Sequence, residues 1–360
     1  MKIAAASARL HEVALTVPYR IASGNFDSAT MVLVSLRDET GREGYGAATP
    51  VPYLSGDDAA GALAALDDAI LPALQGSGFA DLDEAVGRAA SACPVTREGR
   101  GARGALAAAD IALHDLRARR LGVPLSRMLG GARRALVTSI TVGIGEASAM
   151  AEAAARHASR GFRIIKVKIG EEPGKDLARL AAVRRAVGPD VVLRVDANEG
   201  YSAADAVEMA RAMEALGVEL FEQPVPAIDL AGLREVTRLS RIPVVADESV
   251  KVAADLIPLV AEKAGSGANI KLMKCGGIRE ALRIDRALVD AGWRALVGCM
   301  DESRASIAAA AHFAASAASV RWIDLDGHFD LASDPFSGGV ELRDGALVLS
   351  DEPGLGVAPV

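Results

Sequence analysis

The segment "RIIKVKI", residues 163–169, sets two lysines into a run that otherwise reads as a buried strand. Ile164, Ile165, Val167 and Ile169 are β-branched and apolar, as a core strand requires. Alternate strand residues share a face, so Lys166 and Lys168 point the same way. Two ammonium groups side by side in an interior need opposite charge or a chemical use. Seven further runs of the same kind lie to either side: "VTSITV" (137–142), "VVLRVDAN" (191–198), "VELFEQP" (218–224), "IPVVADE" (242–248), "NIKLMK" (269–274), "RALVGCM" (294–300) and "VRWIDLD" (320–326). Helix-like pieces such as "SAADAVEMARAMEALG" separate them, this one opening on a serine suited to an N-cap. Eight βα units in succession predict an α/β fold, a closed parallel barrel of the TIM type with helices outside. An open doubly wound sheet fits less well, because no Gly-rich phosphate turn follows the first strand.

The polar residues inside these strands carry the chemistry. Thr141, Lys168, Asp196, Glu222, Asp247, Lys271 and Asp324 follow one another at gaps of 27, 28, 26, 25, 24 and 53 residues, the last spanning two units. Each falls late in its strand, the end at which barrel enzymes place their active sites. One buried ionisable group there is ordinary; six at matching places are hard to explain by packing.

Asp196, Glu222 and Asp247 belong to strands three, four and five, which are neighbours in a barrel. Converging carboxylates repel unless a cation holds them, and all-oxygen ligation without His or Cys favours Mg²⁺. The alternative is that each pairs with its own Lys or Arg. Asn198 and Glu248 flank these residues as candidates for outer support. Lys168 on strand two and Lys271 on strand six stand opposite one another, with the metal-bearing arc between. A lysine acts as a base only when its pKa is lowered, and Lys166 beside Lys168 supplies a cation that does this. Lys274 reads as facing away and structural. Mg²⁺ on a substrate carboxylate would stabilise the enediolate formed when an α-proton leaves. Bases on both faces would let the proton return on the other side, which is racemisation or epimerisation. Asp324 and Asp326 share a face across the barrel from the metal and suit a substrate ammonium group. Carboxylate at one end and ammonium at the other describe a dipeptide.

Residues before about 130 differ in character. "MVLVSLRDETGREGYGAA" reads as a hairpin around Glu39-Thr40-Gly41, and Ala-rich helices follow from about 59 to 120. "LGG" at 129–131 marks a boundary, and "GGVELRDGALVLS" after strand eight holds another hairpin, with an Asp-Gly turn. The tail is too short to be a domain and is expected to pack back onto the rest. The net charge of −7 without a basic stripe argues against nucleic acid. Cys93, Cys275 and Cys299 are too few and scattered for a disulfide framework. With neither a signal-peptide core nor an apolar run of membrane length, the expectation is a cytoplasmic protein without a membrane partner. The composition is compatible with a homo-oligomer.

In order along the chain, "KVK", "DAN", "FEQP", "ADES", "NIKLMKCGG", "GCMDES" and "DLD" resemble the enolase superfamily, muconate-lactonizing subgroup. The resemblance implies an α+β capping domain (1–130), a modified barrel (131–326) and a tail (327–360) returning to both. It implies Asp196, Glu222 and Asp247 as Mg²⁺ ligands, and Lys168 and Lys271 as the acid/base pair, supported by Lys166. "NIKLMKCGG" with the strand-eight DxD is most similar to the dipeptide epimerases of the L-Ala-D/L-Glu type. There the two aspartates hold the ammonium, and Thr141, Cys299 and Met300 line the pocket. The implied activity is epimerisation at the α-carbon of the C-terminal residue of a dipeptide. An arginine expected for a glutamate side chain falls near Ser23 or Gly24, with Arg20 close by, so glutamate specificity does not follow. N-acylamino acid racemisation, o-succinylbenzoate synthesis and cycloisomerisation are the alternatives within the subgroup. A non-catalytic metal-dependent binding protein would not need opposed bases.

Overall fold

The computed structural model describes residues 1–95, 101–131 and 135–360. The chain opens with an antiparallel meander: β1 (Ile3–Ile21), β2 (Gly24–Asp38) and β3 (Glu43–Ala48). The β2–β3 turn is built by Asp38, whose Oδ1 accepts from the Thr40 and Arg42 amides at 2.8 and 3.0 Å. β1 was not legible as a strand, because most of its residues stay at least partly exposed and its order comes from pairing with β2. The helix Arg103–Leu121 lies on this sheet at very close range: a Cβ on Gly46 would stand 2.0 Å from the Ala108 carbonyl oxygen. Glycine is required there by contact rather than by backbone angle.

β4 (Ala135–Val137) follows, then the barrel strands β5 (Ile140–Val142), β6 (Ile164–Lys168), β7 (Val192–Asp196), β8 (Val218–Glu222), β9 (Val244–Ala246), β10 (Gly267–Ile270), β11 (Arg294–Gly298) and β12 (Val320–Asp324). All eight are parallel and neighbours in chain order. The ring is nearly closed. β5 and β12 share no ladder, and Ser139 bridges them by donating its N–H to the Ile323 carbonyl at 3.1 Å.

Two strand readings shift. "VTSITV" is divided between β4, which leaves the barrel to pair with the tail, and β5. "NIKLMK" stops at Ile270. The next residues turn helical because the Lys274 and Cys275 amides bond back to the Lys271 carbonyl, and Gly276 at φ +94° closes the turn.

The tail forms β13 (Phe336–Gly338), β14 (Val340–Arg343), β15 (Ala346–Leu349) and β16 (Val357–Pro359). β14 and β15 make the hairpin read from the sequence, with Asp344 and Gly345 both at positive φ in its turn. The pieces are tied by buried carboxylates. Asp115 accepts from the amides of Tyr45 and Leu355, and Asp110 accepts from the Ile278 amide at 2.6 Å. Inside the barrel, Leu220, Val245, Leu296 and Trp322 form a separate apolar layer. Two residues further along three of these strands come Glu222, Asp247 and Asp324, so the apolar layer is the floor of the site. Among the described residues no helix is long and apolar enough to cross a membrane.

Candidate active site

Parallel register places the polar residues level. Lys168 is paired with Asp196, and Asp196 with Glu222, on β6, β7 and β8. Asp247 follows β9 and is held by Gln223, whose Oε1 accepts its amide at 2.8 Å. Lys271 follows β10, three strands away from Asp196's strand and on the opposite side of the row from Lys168.

The lysines and carboxylates form one buried network. Lys166 Nζ lies 2.7 Å from Asp324 Oδ2, 2.8 Å from Glu222 Oε2 and 3.0 Å from Asp196 Oδ2. Lys168 Nζ donates to Asp196 Oδ2 at 2.7 Å and Asn198 Oδ1 at 3.0 Å. Lys271 Nζ is 2.7 Å from Asp247 Oδ2. Asn198, at φ +41°, also donates to Glu248 at 3.1 Å. Burial opposes the charge on Lys166, but Asp324, Glu222 and Asp196 outweigh it and hold the ammonium well above the usual lysine value. Burial likewise opposes the Lys271 charge, and Asp247 outweighs it. Burial and then Asp196 push Glu222 up to about 7; burial and then Asp247 push Glu248 up to about 8. Asp196 is lowered to about 2, because Lys168 and Lys166 outweigh its burial.

Among the described residues no three His, Cys, Asp or Glu side chains are drawn together tightly enough to enclose an ion by themselves. The lysine ammonium groups lie between them instead. The donor set nevertheless fits a hard divalent cation. Glu222 Oε2, Asp247 Oδ2 and Glu248 Oε2 are buried without a hydrogen-bond donor, and the first two meet only a lysine Nζ outside hydrogen-bond geometry. Oxygen-only donors, three of them buried with no hydrogen-bond donor, suit Mg²⁺.

Asp324 and Asp326 have parted roles. Asp324 is engaged by Lys166 and by Ser139 Oγ at 2.6 Å, so the charge expected to meet a substrate ammonium is here met by a lysine. Asp326 accepts from the Thr141 amide at 2.7 Å and from the Cys299 thiol at 3.7 Å, both neutral donors. Burial, then Asp324, raise its carboxyl to about 7. Lys274 does not face away. Its Nζ meets Asp247 Oδ1 at 2.5 Å, the Asp247 carbonyl at 2.6 Å and the Asn269 carbonyl at 2.9 Å. Asn269 donates to Glu222 Oε1 at 2.6 Å. Asn269 precedes Lys271 by two residues, a spacing from which its place was readable; Lys274 was misread because a helix turn replaces the strand.

A cavity of about 460 Å³ opens above this row. Lys166, Lys168, Lys271, Asp324, Asp326, Thr141, Cys299 and Met300 line it from the barrel, and Val17–Tyr19, Ile21, Tyr53 and Leu54 from the N-terminal domain. Arg20 is not in its wall and pairs with Glu171 at 3.0 Å. Tyr19, stacked on Phe26, donates to Asp301 Oδ2 at 2.8 Å and joins the two domains over the mouth.

A barrel with carboxylates on adjacent strand ends, lysines on either side of them and an α+β domain over the mouth defines the architecture of the enolase superfamily. The chain belongs to its mandelate racemase / muconate lactonizing enzyme family: residues 5–130 match the N-terminal domain of that family, and residues 149–360 match the enolase C-terminal domain-like family. It is 40% identical over 358 residues to the L-Lys-D/L-Arg epimerase of Methylococcus capsulatus, covering 99% of both chains. The structure of the L-Ala-D/L-Glu epimerase of Bacillus subtilis, in a substrate-liganded complex, superposes with TM-score 0.94 at 35% identity, covering 100% of this chain and 99% of that one. The dipeptide epimerase of Enterococcus faecalis, complexed with Mg and L-Leu-L-Tyr, superposes with TM-score 0.93 at 36% identity, covering 99% and 100%.

Proposed function

We propose that this protein is an isomerase, a Mg²⁺-dependent dipeptide epimerase that inverts the α-carbon of the C-terminal residue. The observation that carries this reading is the placement of Lys168 and Lys271 on opposite sides of the Asp196–Glu222–Asp247 row, each already on one of its carboxylates. Relatives of similar length with this fold are dipeptide epimerases, and one is complexed with Mg and a dipeptide.

Asp196, Glu222 and Asp247 would hold the cation, with Asn198 and Glu248 supporting them. When bound, Mg²⁺ supplies positive charge beside the substrate carboxylate, where negative charge grows as the α-proton leaves. Were a cation to share Asp196 and Asp247, they would serve Lys168 and Lys271 less fully as counterions, and the neutral form of one lysine would be less disfavoured. The neutral amine of that lysine takes the α-proton, and the C–H electron pair passes into the carboxylate system. The ammonium of the opposite lysine delivers a proton to the other face of the carbon. Atoms and charge balance, and solvent exchange resets the pair. Lys166 stays charged, held by three carboxylates, and keeps the row compact. Asp326 takes the substrate's ammonium group, and Thr141, Cys299 and Met300 shape the adjoining wall.

The test is incubation of L,L-dipeptides with Mg²⁺ in D₂O, followed by mass spectrometry and chiral analysis. One deuterium at the C-terminal residue's α-carbon, accompanied by inversion, is expected. An absence of exchange across a broad dipeptide set would refute the reading. Asp324's engagement by Lys166 favours one second reading, racemisation of N-acylamino acids, which needs no ammonium site. Equal rates for free and N-acetylated dipeptides would select it.

A further inference from the structure

Lys168 closes β6, and the chain turns there into the loop that leads to the helix Pro173–Val187. Its ammonium ends a flexible four-carbon stem, so the backbone beneath it and the partners around it decide where it stands. Those partners come from the next unit: Asp196 Oδ2 at the end of β7 and Asn198 Oδ1 in the loop beyond. The spacing between the β6 and β7 loops therefore sets the position of the Lys168 amine.

One carboxylate fastens both loops. Asp176, in the first turn of the helix Pro173–Val187, is fully buried and is not in the cavity wall. Its Oδ2 accepts from the Gly170 and Glu171 amides after β6, at 3.0 and 2.8 Å, and from the buried Tyr201 hydroxyl after β7, at 2.6 Å. Its Oδ1 accepts from Arg179 Nη1 at 2.7 Å, and Arg179 Nε donates to the Gly145 carbonyl, after β5, at 2.9 Å. The loops touch where they are drawn together: a Cβ on Gly170 would stand 2.3 Å from the Ala197 carbonyl oxygen. A buried polar network with its members satisfied is rigid. Lys271 takes its support elsewhere, from Asp247, which Gln223 and Lys274 hold.

On the epimerase reading above, we propose that Asp176 is a positioning residue for one face of the reaction: through Tyr201 and the Gly170 and Glu171 amides it holds Lys168 against Asn198, and it leaves Lys271 untouched.

The experiment reads each lysine separately. Initial loss of the α-proton in D₂O is followed for the L,L and L,D forms of the dipeptide exchanged fastest in the screen above. Lys271→Ala identifies the form that Lys168 deprotonates, and Lys168→Ala the other. Tyr201→Phe removes one donor to Asp176 and keeps the ring. Proton loss from the Lys168 form should then fall about tenfold, the worth of one hydrogen bond to a charged group. Loss from the Lys271 form should stay within about twofold, as for distant independent sites. Asp176→Asn, which also unsettles Arg179, should widen the gap to about a hundredfold, the cost of misplacing a reacting group by about 1 Å. Should that variant fail to fold, Tyr201→Phe alone decides. In Tyr201→Phe, equal falls for both forms, a fall confined to the Lys271 form, or no fall at all would overturn this inference and leave the epimerase reading standing. Absence of exchange in the unaltered enzyme would instead remove that reading and this inference together.

Discussion

Replacing Lys274 by Met tests whether the carboxylate row is held from below. Lys274 is fully buried and its ammonium serves one Asp247 oxygen and two backbone carbonyls. Removing one partner of a buried ion pair costs roughly 3–5 kcal/mol. Lys271 still faces the other Asp247 oxygen at 2.7 Å, so the lower end, about 3 kcal/mol, is expected. At about 2.1 cal/mol/K per residue, 360 residues give an unfolding entropy near 0.76 kcal/mol/K. Tm should then fall by about 4 °C. The deficit carries a pH signature. Burial would raise the Asp247 carboxyl, but Lys271 and Lys274 outweigh it and hold it far below its ordinary 3.8. A depressed carboxylate contributes stability that is complete above its unfolded pKa and lost as pH falls through the folded one. The deficit should therefore be full at pH 7 and narrow below about pH 4. Thermal unfolding followed by circular dichroism between pH 7 and pH 3, on metal-free protein, measures both. A variant with unaltered Tm at pH 7, or a deficit of the same size throughout, would refute the reasoning.

Other outcomes follow from the same geometry. Lys168→Ala and Lys271→Ala should each abolish epimerisation, yet each should still exchange the α-proton of the one stereoisomer that presents it to the surviving lysine; equal exchange of both isomers by either variant would contradict opposed bases. Chelation should remove activity and Mg²⁺ restore it, with Asp247→Asn failing to recover; full turnover in exhaustively chelated enzyme would remove the metal from the reaction. Asp326→Asn should slow free dipeptides more than N-acetylated ones, narrowing their difference in kcat/KM. Because the Asp326 carboxyl is raised to about 7 and must be ionised to hold an ammonium, KM for free dipeptides should rise as pH falls from 8 to 6. A KM flat across that range would place the ammonium elsewhere.

Much of the site was written locally. A strand alternates faces every two residues, and a βα unit brings the chain back to the same barrel end, so Lys168, Asp196, Glu222, Asp247, Lys271 and Asp324 announce themselves by spacing alone. Which carboxylate each lysine meets was not local. Lys166 gathers Asp196, Glu222 and Asp324 because barrel curvature turns side chains from separate strands toward one axis. Lys274 reaches Asp247 because hydrogen bonds to the Lys271 carbonyl make a helical turn where apolar residues suggested more strand. β1 has no alternation strong enough to read, since its strand geometry is imposed by partners on β2. Tyr19 and Asp301 meet across 282 residues, on segments whose local patterns say nothing of each other. Periodicity reports which face a residue takes within its own element; only the packing of elements decides what stands opposite that face.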